Sequence, residues 1–118
     1  MRFYRIEYTD GKGLYQSEYP LTRINTIWAL RVVDRHGDLP TGLEDGLNRH
    51  KSGKEWFFGF LSIKDMLYWV KPSELRMLVK RGYRVYRIEA TTVQVSENQV
   101  IYTKESIKKK VSITSKFR

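Results

Sequence analysis

The chain has 118 residues, enough for one domain, and its 41% apolar and 30% charged side chains match ordinary globular usage, which excludes general disorder. It contains no cysteine, so disulfide staples, thiolate nucleophiles and zinc sites built on thiolates are excluded. Its 22 Lys and Arg outweigh 13 Asp and Glu, and the formal net charge of +9 favours polyanionic partners such as nucleic acid or an acidic protein face.

Arg2 to Tyr8 alternates, with Tyr4, Ile6 and Tyr8 on one side and Phe3, Arg5 and Glu7 on the other, the pattern of an amphipathic strand. Asp10-Gly11-Lys12-Gly13 closes it in a turn. Thr22 to Arg35 reads as a helix with Ile24, Ile27, Trp28 and Arg31 at spacings of three and four, and Thr22 and Gly37 supply its cap and stop. Asp38 to Lys54, with three glycines and Pro40, is the longest irregular stretch.

Trp56 to Leu61 is an apolar run interrupted by Gly59, which suits a strand buried on both faces. Ser62 stands at an N-cap with Asp65 three residues on, and Ile63, Met66, Leu67 and Val70 follow the helical period. Pro72 breaks that helix, and Ser73 is placed to cap a second one carrying Leu75, Leu78 and Val79 and ending at Gly82.

Tyr83 to Thr92 reads as a strand that Val93 to Val95 could continue, and Gln99 to Thr103 returns as a hairpin partner after a turn at Ser96 to Asn98. Residues 1–103 are thus expected to form one α+β domain: a mostly antiparallel, twisted sheet with two or three helices on one face. Trp28, Trp56, Phe58, Phe60, Ile63, Leu67, Val70, Leu75 and Leu78 are its expected core. Residues 104–118 are either a basic edge strand, with Val111 and Ile113 alternating, or a basic tail.

Tyr4-Arg5-Ile6-Glu7 recurs as Tyr86-Arg87-Ile88-Glu89, which is expected to reflect two strands of one sheet sharing a solvent-side ladder of Arg and Glu. The two histidines, His36 and His50, are isolated, and Glu44-Asp45 is read as a solvated loop pair. Gly11-Lys12-Gly13 lacks the spacing of a phosphate-cradling loop. No metal, cofactor or catalytic residue is therefore expected.

Clustered charge is the functional signal. Leu75 to Ile88 contains five basic residues and no acidic one, and Lys104 to Arg118 contains six against Glu105 alone. Arg76 and Lys80 share a helix face, Arg84 shares a strand face with Tyr86, and Arg87 shares the other with Tyr83. Arginine interleaved with tyrosine suits nucleic acid, guanidinium on phosphate and ring on base. Arg76, Lys80, Arg81, Arg84, Arg87, Lys108, Lys109 and Lys110 are the expected contacts to nucleic acid or to an acidic nucleoprotein surface. The N-terminus lacks the apolar core of a signal peptide and no stretch approaches a membrane span, so the cytoplasm, and no membrane, is the expected setting.

Phe3-Tyr4-Arg5-Ile6-Glu7, Gly13-Leu14-Tyr15, Glu44-Asp45-Gly46, Phe58-Gly59-Phe60-Leu61-Ser62 before a helix ending in Trp69, and Gln99 to Lys104 together resemble a group of small phage- and prophage-encoded proteins. The resemblance spans most of the chain and implies a phage setting. It supplies no activity, but it implies a binder that inhibits a host factor, with CRISPR defence among the targets. A fainter similarity is to ADP-ribosyltransferase-like folds, with an aromatic-Arg pair in the first strand (Tyr4-Arg5), a serine after a strand (Ser62) and a late carboxylate. Gln99 stands where that carboxylate is expected and cannot supply its charge, so this resemblance implies at most a degenerate nucleotide pocket at Arg5, Ser62 and Gln99.

Overall fold

Alternation in the first strand, β1 (Arg2–Glu7), serves a sheet that is covered on both faces. A computed structural model describes residues 1–14, 20, 23–24, 30–32, 56–91, 93–95 and 100–118. The expected helix over Thr22 to Arg35 lies mostly outside the described residues, although Leu30 to Val32 are helical, and the long stretch Asp38 to Lys54 lies outside them entirely.

After β1 come β2 (Trp56–Gly59), α1 (Ile63–Trp69), α2 (Pro72–Lys80), β3 (Arg84–Ala90), β4 (Val93–Val95), β5 (Val100–Thr103) and β6 (Ile107–Ser112). A 3-10 turn at Lys104–Ser106 precedes β6 and another, Thr114–Phe117, follows it. The fold is α+β, as the sequence predicts, with antiparallel strands divided between two three-stranded sheets, β1-β3-β6 and β2-β5-β4. They meet where the backbone N–H groups of Tyr4 and Phe60 donate to each other's carbonyls, at 2.8 and 2.7 Å.

The β1-β3-β6 sheet has a core on each side. Phe3 and Ile88 face the second sheet and join Ala90, Val100 and Tyr102 in one apolar cluster. Ile6 and Val85 face the helices and join Met66, Val70, Leu75, Leu78 and Tyr83 in the other. A sheet buried on both faces explains why β1 and β3 each carry apolar residues at both phases of the alternation.

Two helix starts obey their local chemistry. Ser62 caps α1, its hydroxyl accepting from the Asp65 N–H at 3.0 Å. The second helix starts two residues earlier than the sequence predicts. Pro72 occupies its first turn, where a missing N–H costs nothing, and Glu74 reaches back to accept the Lys71 N–H at 2.9 Å, so Ser73 is not the cap. Gly82 ends the turn after α2 with φ +104°, a conformation that side chains with a Cβ rarely adopt.

Val93 to Val95 does not continue β3. The chain changes sheets at Thr91, and β4 pairs with β5 as a hairpin of the second sheet. The basic C-terminal segment is ordered as strand β6, antiparallel to β3, with a register irregularity between Glu89 and Ala90. Of the expected core, Val70, Leu75 and Leu78 are buried, while Phe60, Ile63 and Leu67 are partly exposed and pack against the helical-side cluster. Phe58 is partly exposed, and Trp28 and the Trp56 side chain lie outside the described residues. The largest fully buried side chains are Tyr83, Tyr102 and Phe3.

Candidate functional site

Between the two sheets lies a chain of charges. Arg5 and Glu7, two apart on β1, both point inward, and the Arg5 Nε donates to Glu7 Oε2 at 2.8 Å. Arg5 Nη1 donates to the Phe58 carbonyl at 2.6 Å, and its guanidinium lies 5.3 and 5.9 Å from the ring centres of Phe57 and Tyr102. Lys110 Nζ, 4.4 Å from the Tyr86 ring centre, donates to the other carboxylate oxygen of Glu7 at 2.6 Å.

Both Arg5 and Glu7 are buried, so the expected solvent-side ladder is corrected: β1 carries its Arg and Glu into the core. The antiparallel register sets Arg5 opposite Tyr86 and Tyr4 opposite Arg87. The repeated motif is therefore out of phase, with Arg87 and Glu89 on the face opposite to Arg5 and Glu7. Burial pushes the Tyr102 hydroxyl well above the usual tyrosine pKa, the Arg5 charge opposing and the Glu7 charge adding to the shift. In this arrangement one carboxylate serves two cations.

The structure divides the basic residues singled out by sequence. Arg76 and Lys80 are exposed, four apart on α2, and Lys108 and Lys109 are exposed on β6. Lys109 stands in register with Glu89, which in turn receives a hydrogen bond from Arg2 at 3.2 Å. Arg84 and Arg87 are partly buried on opposite faces of β3, so they do not share a patch. Arg84 is drawn back to the Tyr83 carbonyl at 2.8 Å. Arg81 is the C-cap of α2 and is partly buried, and Lys110 is engaged with Glu7.

Sequence reasoning did not single out Lys64 and Tyr68 on α1 or Lys71 just before α2, all of which are exposed. The signal was available in the spacing of Lys64 and Tyr68, four apart and so on one side of a helix. Of the proposed nucleotide pocket, Arg5 is engaged with Glu7 and Phe58, Ser62 with the start of α1, and Gln99 lies outside the described residues. Among the described residues no three His, Cys, Asp or Glu side chains converge as metal ligands, and no helix is long and apolar enough to cross a membrane. His36, His50, Glu44 and Asp45 lie outside them.

No curated protein and no solved structure matches the chain, and no similarity to an ADP-ribosyltransferase emerges. A protein-family profile described as Bacteriophage T4 Y00F protein matches residues 1–116, nearly the full length and all but the end of the last turn. The phage resemblance is thereby borne out, and the chain belongs to the Bacteriophage T4 Y00F protein family.

Proposed function

We propose that this phage protein is a non-catalytic binding protein whose partner is a polyanion, namely nucleic acid or the acidic surface of a host nucleoprotein. The observation that carries this reading is on α2: Arg76 and Lys80 are exposed on one side of the helix, while its single acidic residue, Glu74, is buried as part of the helix start. No carboxylate of their own helix thus offsets these cations at the surface, on a chain with a net charge of +9. Lys108 and Lys109 add exposed cations on β6. The phage setting gives such a binder a use as an inhibitor of host defence, with RNA-guided effectors such as CRISPR complexes among the targets.

Anisotropy of labelled single-stranded DNA, duplex DNA and RNA, titrated with protein at low and near-physiological salt, tests the reading. Binding that persists at physiological salt, with a steep linear dependence of log K on log salt, supports it, and the slope counts the phosphates neutralised. Replacement of Arg76 and Lys80 by Glu is expected to abolish that binding. If the Glu variants bind every partner as the parent does, the proposal fails.

A further inference from the structure

The most exposed charged residues of the helical segment are of one sign, and an aromatic side chain is exposed between them in sequence. From Ile63 to Lys80 the exposed charged residues are Lys64, Lys71, Arg76 and Lys80, all cationic. Of the two carboxylates in the segment, Glu74 is buried at the start of α2, and Asp65 is partly exposed next to Lys64. Tyr68 is 68% exposed, the most exposed of the large apolar side chains among the described residues. Lys64 precedes it by one helical turn on the same side of α1. The Trp69 ring meets the Tyr68 ring edge-on, with centres 5.0 Å apart and planes at 89°.

An exposed aromatic ring adds nothing to the core it stands outside and presents its face to a partner. Cations alone attract any phosphate backbone, duplex or single strand, and a duplex hides its base faces in the stack. On a polyanion of this kind, a ring presented near cations finds a stacking partner where base faces are free. We infer that the α1–α2 corner is a binding surface for single-stranded nucleic acid, with Lys64, Lys71, Arg76 and Lys80 tracking the backbone and Tyr68 stacking on a base. The inference rests on the polyanion-binding reading above and specifies its surface and its ligand.

The test uses the full chain with a labelled single-stranded oligonucleotide of mixed sequence and a duplex of equal length, over a range of salt concentrations. Tyr68→Ala is expected to weaken single-strand binding about 5-fold or more, the effect of deleting one stacking side chain, with the salt slope unchanged because no charge is removed. Tyr68→Phe, which keeps the ring, is expected to bind as the parent does. Lys64→Ala and Arg76→Ala are expected to lower the slope by about 0.7 for each phosphate no longer neutralised. Circular dichroism and thermal melting of each variant establish that it is folded.

If Tyr68→Ala binds the single strand as tightly as the parent while salt-dependent binding persists, the stacking surface is overturned and the general polyanion reading stands. Preference for the duplex has the same meaning. If the parent binds no nucleic acid at near-physiological salt, this inference fails together with the nucleic-acid arm of the proposed function, and an acidic protein surface is the partner to pursue.

Discussion

Lys110 reaches across the central strand of its sheet to Glu7: its Nζ passes over the Tyr86 ring and ends 2.6 Å from the Glu7 carboxylate, 103 positions away in the chain. The first and last strands of β1-β3-β6 do not pair with each other, so this contact, with Arg5 on the other carboxylate oxygen, ties them together over β3. Glu7→Gln is expected to destabilise the protein by about 3–5 kcal/mol, because the Arg5 guanidinium would be left buried without its counter-charge. Urea unfolding measures this. Lys110→Ala removes a partly exposed cation and is expected to cost only about 1 kcal/mol. A double variant, Arg5→Met with Glu7→Gln, is expected to recover much of the loss, since no unpaired charge then stays buried. Equal small losses for Glu7→Gln and Lys110→Ala would show that Arg5 finds other compensation.

The charge network also accounts for what the sequence showed of the fold and what it hid. The cap at Ser62, the break at Pro72, the stop at Gly82 and the β4–β5 hairpin were legible because each depends on residues a few positions apart. The inward direction of Arg5 and Glu7 was not, because a strand carrying Phe3, Arg5 and Glu7 on one side reads as having a polar face. Among the described residues, the second sheet, supplied by residues 56–59, 93–95 and 100–103, makes that side interior, and Lys110 and the Phe58 carbonyl pair with the two side chains. In the same way, Arg84 and Arg87 counted towards one basic cluster in the sequence although successive strand phases send them to opposite faces. The α2 pair, Arg76 and Lys80, does share one exposed side, because a spacing of four on a helix fixes that relationship without help from distant residues.

Tyr102 gives the protein an alkaline limit. Its hydroxyl has a pKa raised by burial above the usual value near 10, so the folded state keeps the proton after the unfolded chain has begun to lose it. The unfolded state then binds fewer protons at this group than the native state, so the Tyr102 contribution to stability is expected to fall as pH rises above about 10. This contribution is constant below that pH and declines through the range above it. The difference in stability between the parent and Tyr102→Phe, measured by urea titration from about pH 8 to 11, is expected to be flat up to about pH 10. Beyond that the parent should lose stability faster than the variant. Parallel decline of both proteins would mean that Tyr102 ionises in the fold as freely as in the open chain.

Ser62 offers a separation of structural from chemical roles. As the N-cap of α1 it is expected to contribute about 1 kcal/mol, lost in Ser62→Ala and largely kept in Ser62→Asp, whose carboxylate can accept the same Asp65 N–H. Nucleic-acid binding should follow only the folded fraction in both variants. A binding defect in fully folded Ser62→Ala, with Ser62→Asp failing likewise, would place the hydroxyl in a ligand site instead.

Gly59 sets how closely the two sheets can approach where they join. A Cβ at this position would lie 2.7 Å from Phe3 Cδ2 and 3.0 Å from the Tyr4 carbonyl oxygen. The Phe3 ring is fully buried against Tyr102, with centres 4.6 Å apart, so it has little room to withdraw. The Tyr4 carbonyl cannot retreat either without lengthening the 2.7 Å hydrogen bond it accepts from the Phe60 N–H, one of the two that link the sheets. Gly59→Ala is therefore expected to cost about 1–3 kcal/mol, the range for an overpacked interior site. Amide exchange at Tyr4 and Phe60 distinguishes the source of that cost. Faster exchange at these two amides than elsewhere in β1 would mean that the junction opens to admit the methyl group. Uniform change along the strand would mean that the Phe3 ring yields and the junction holds.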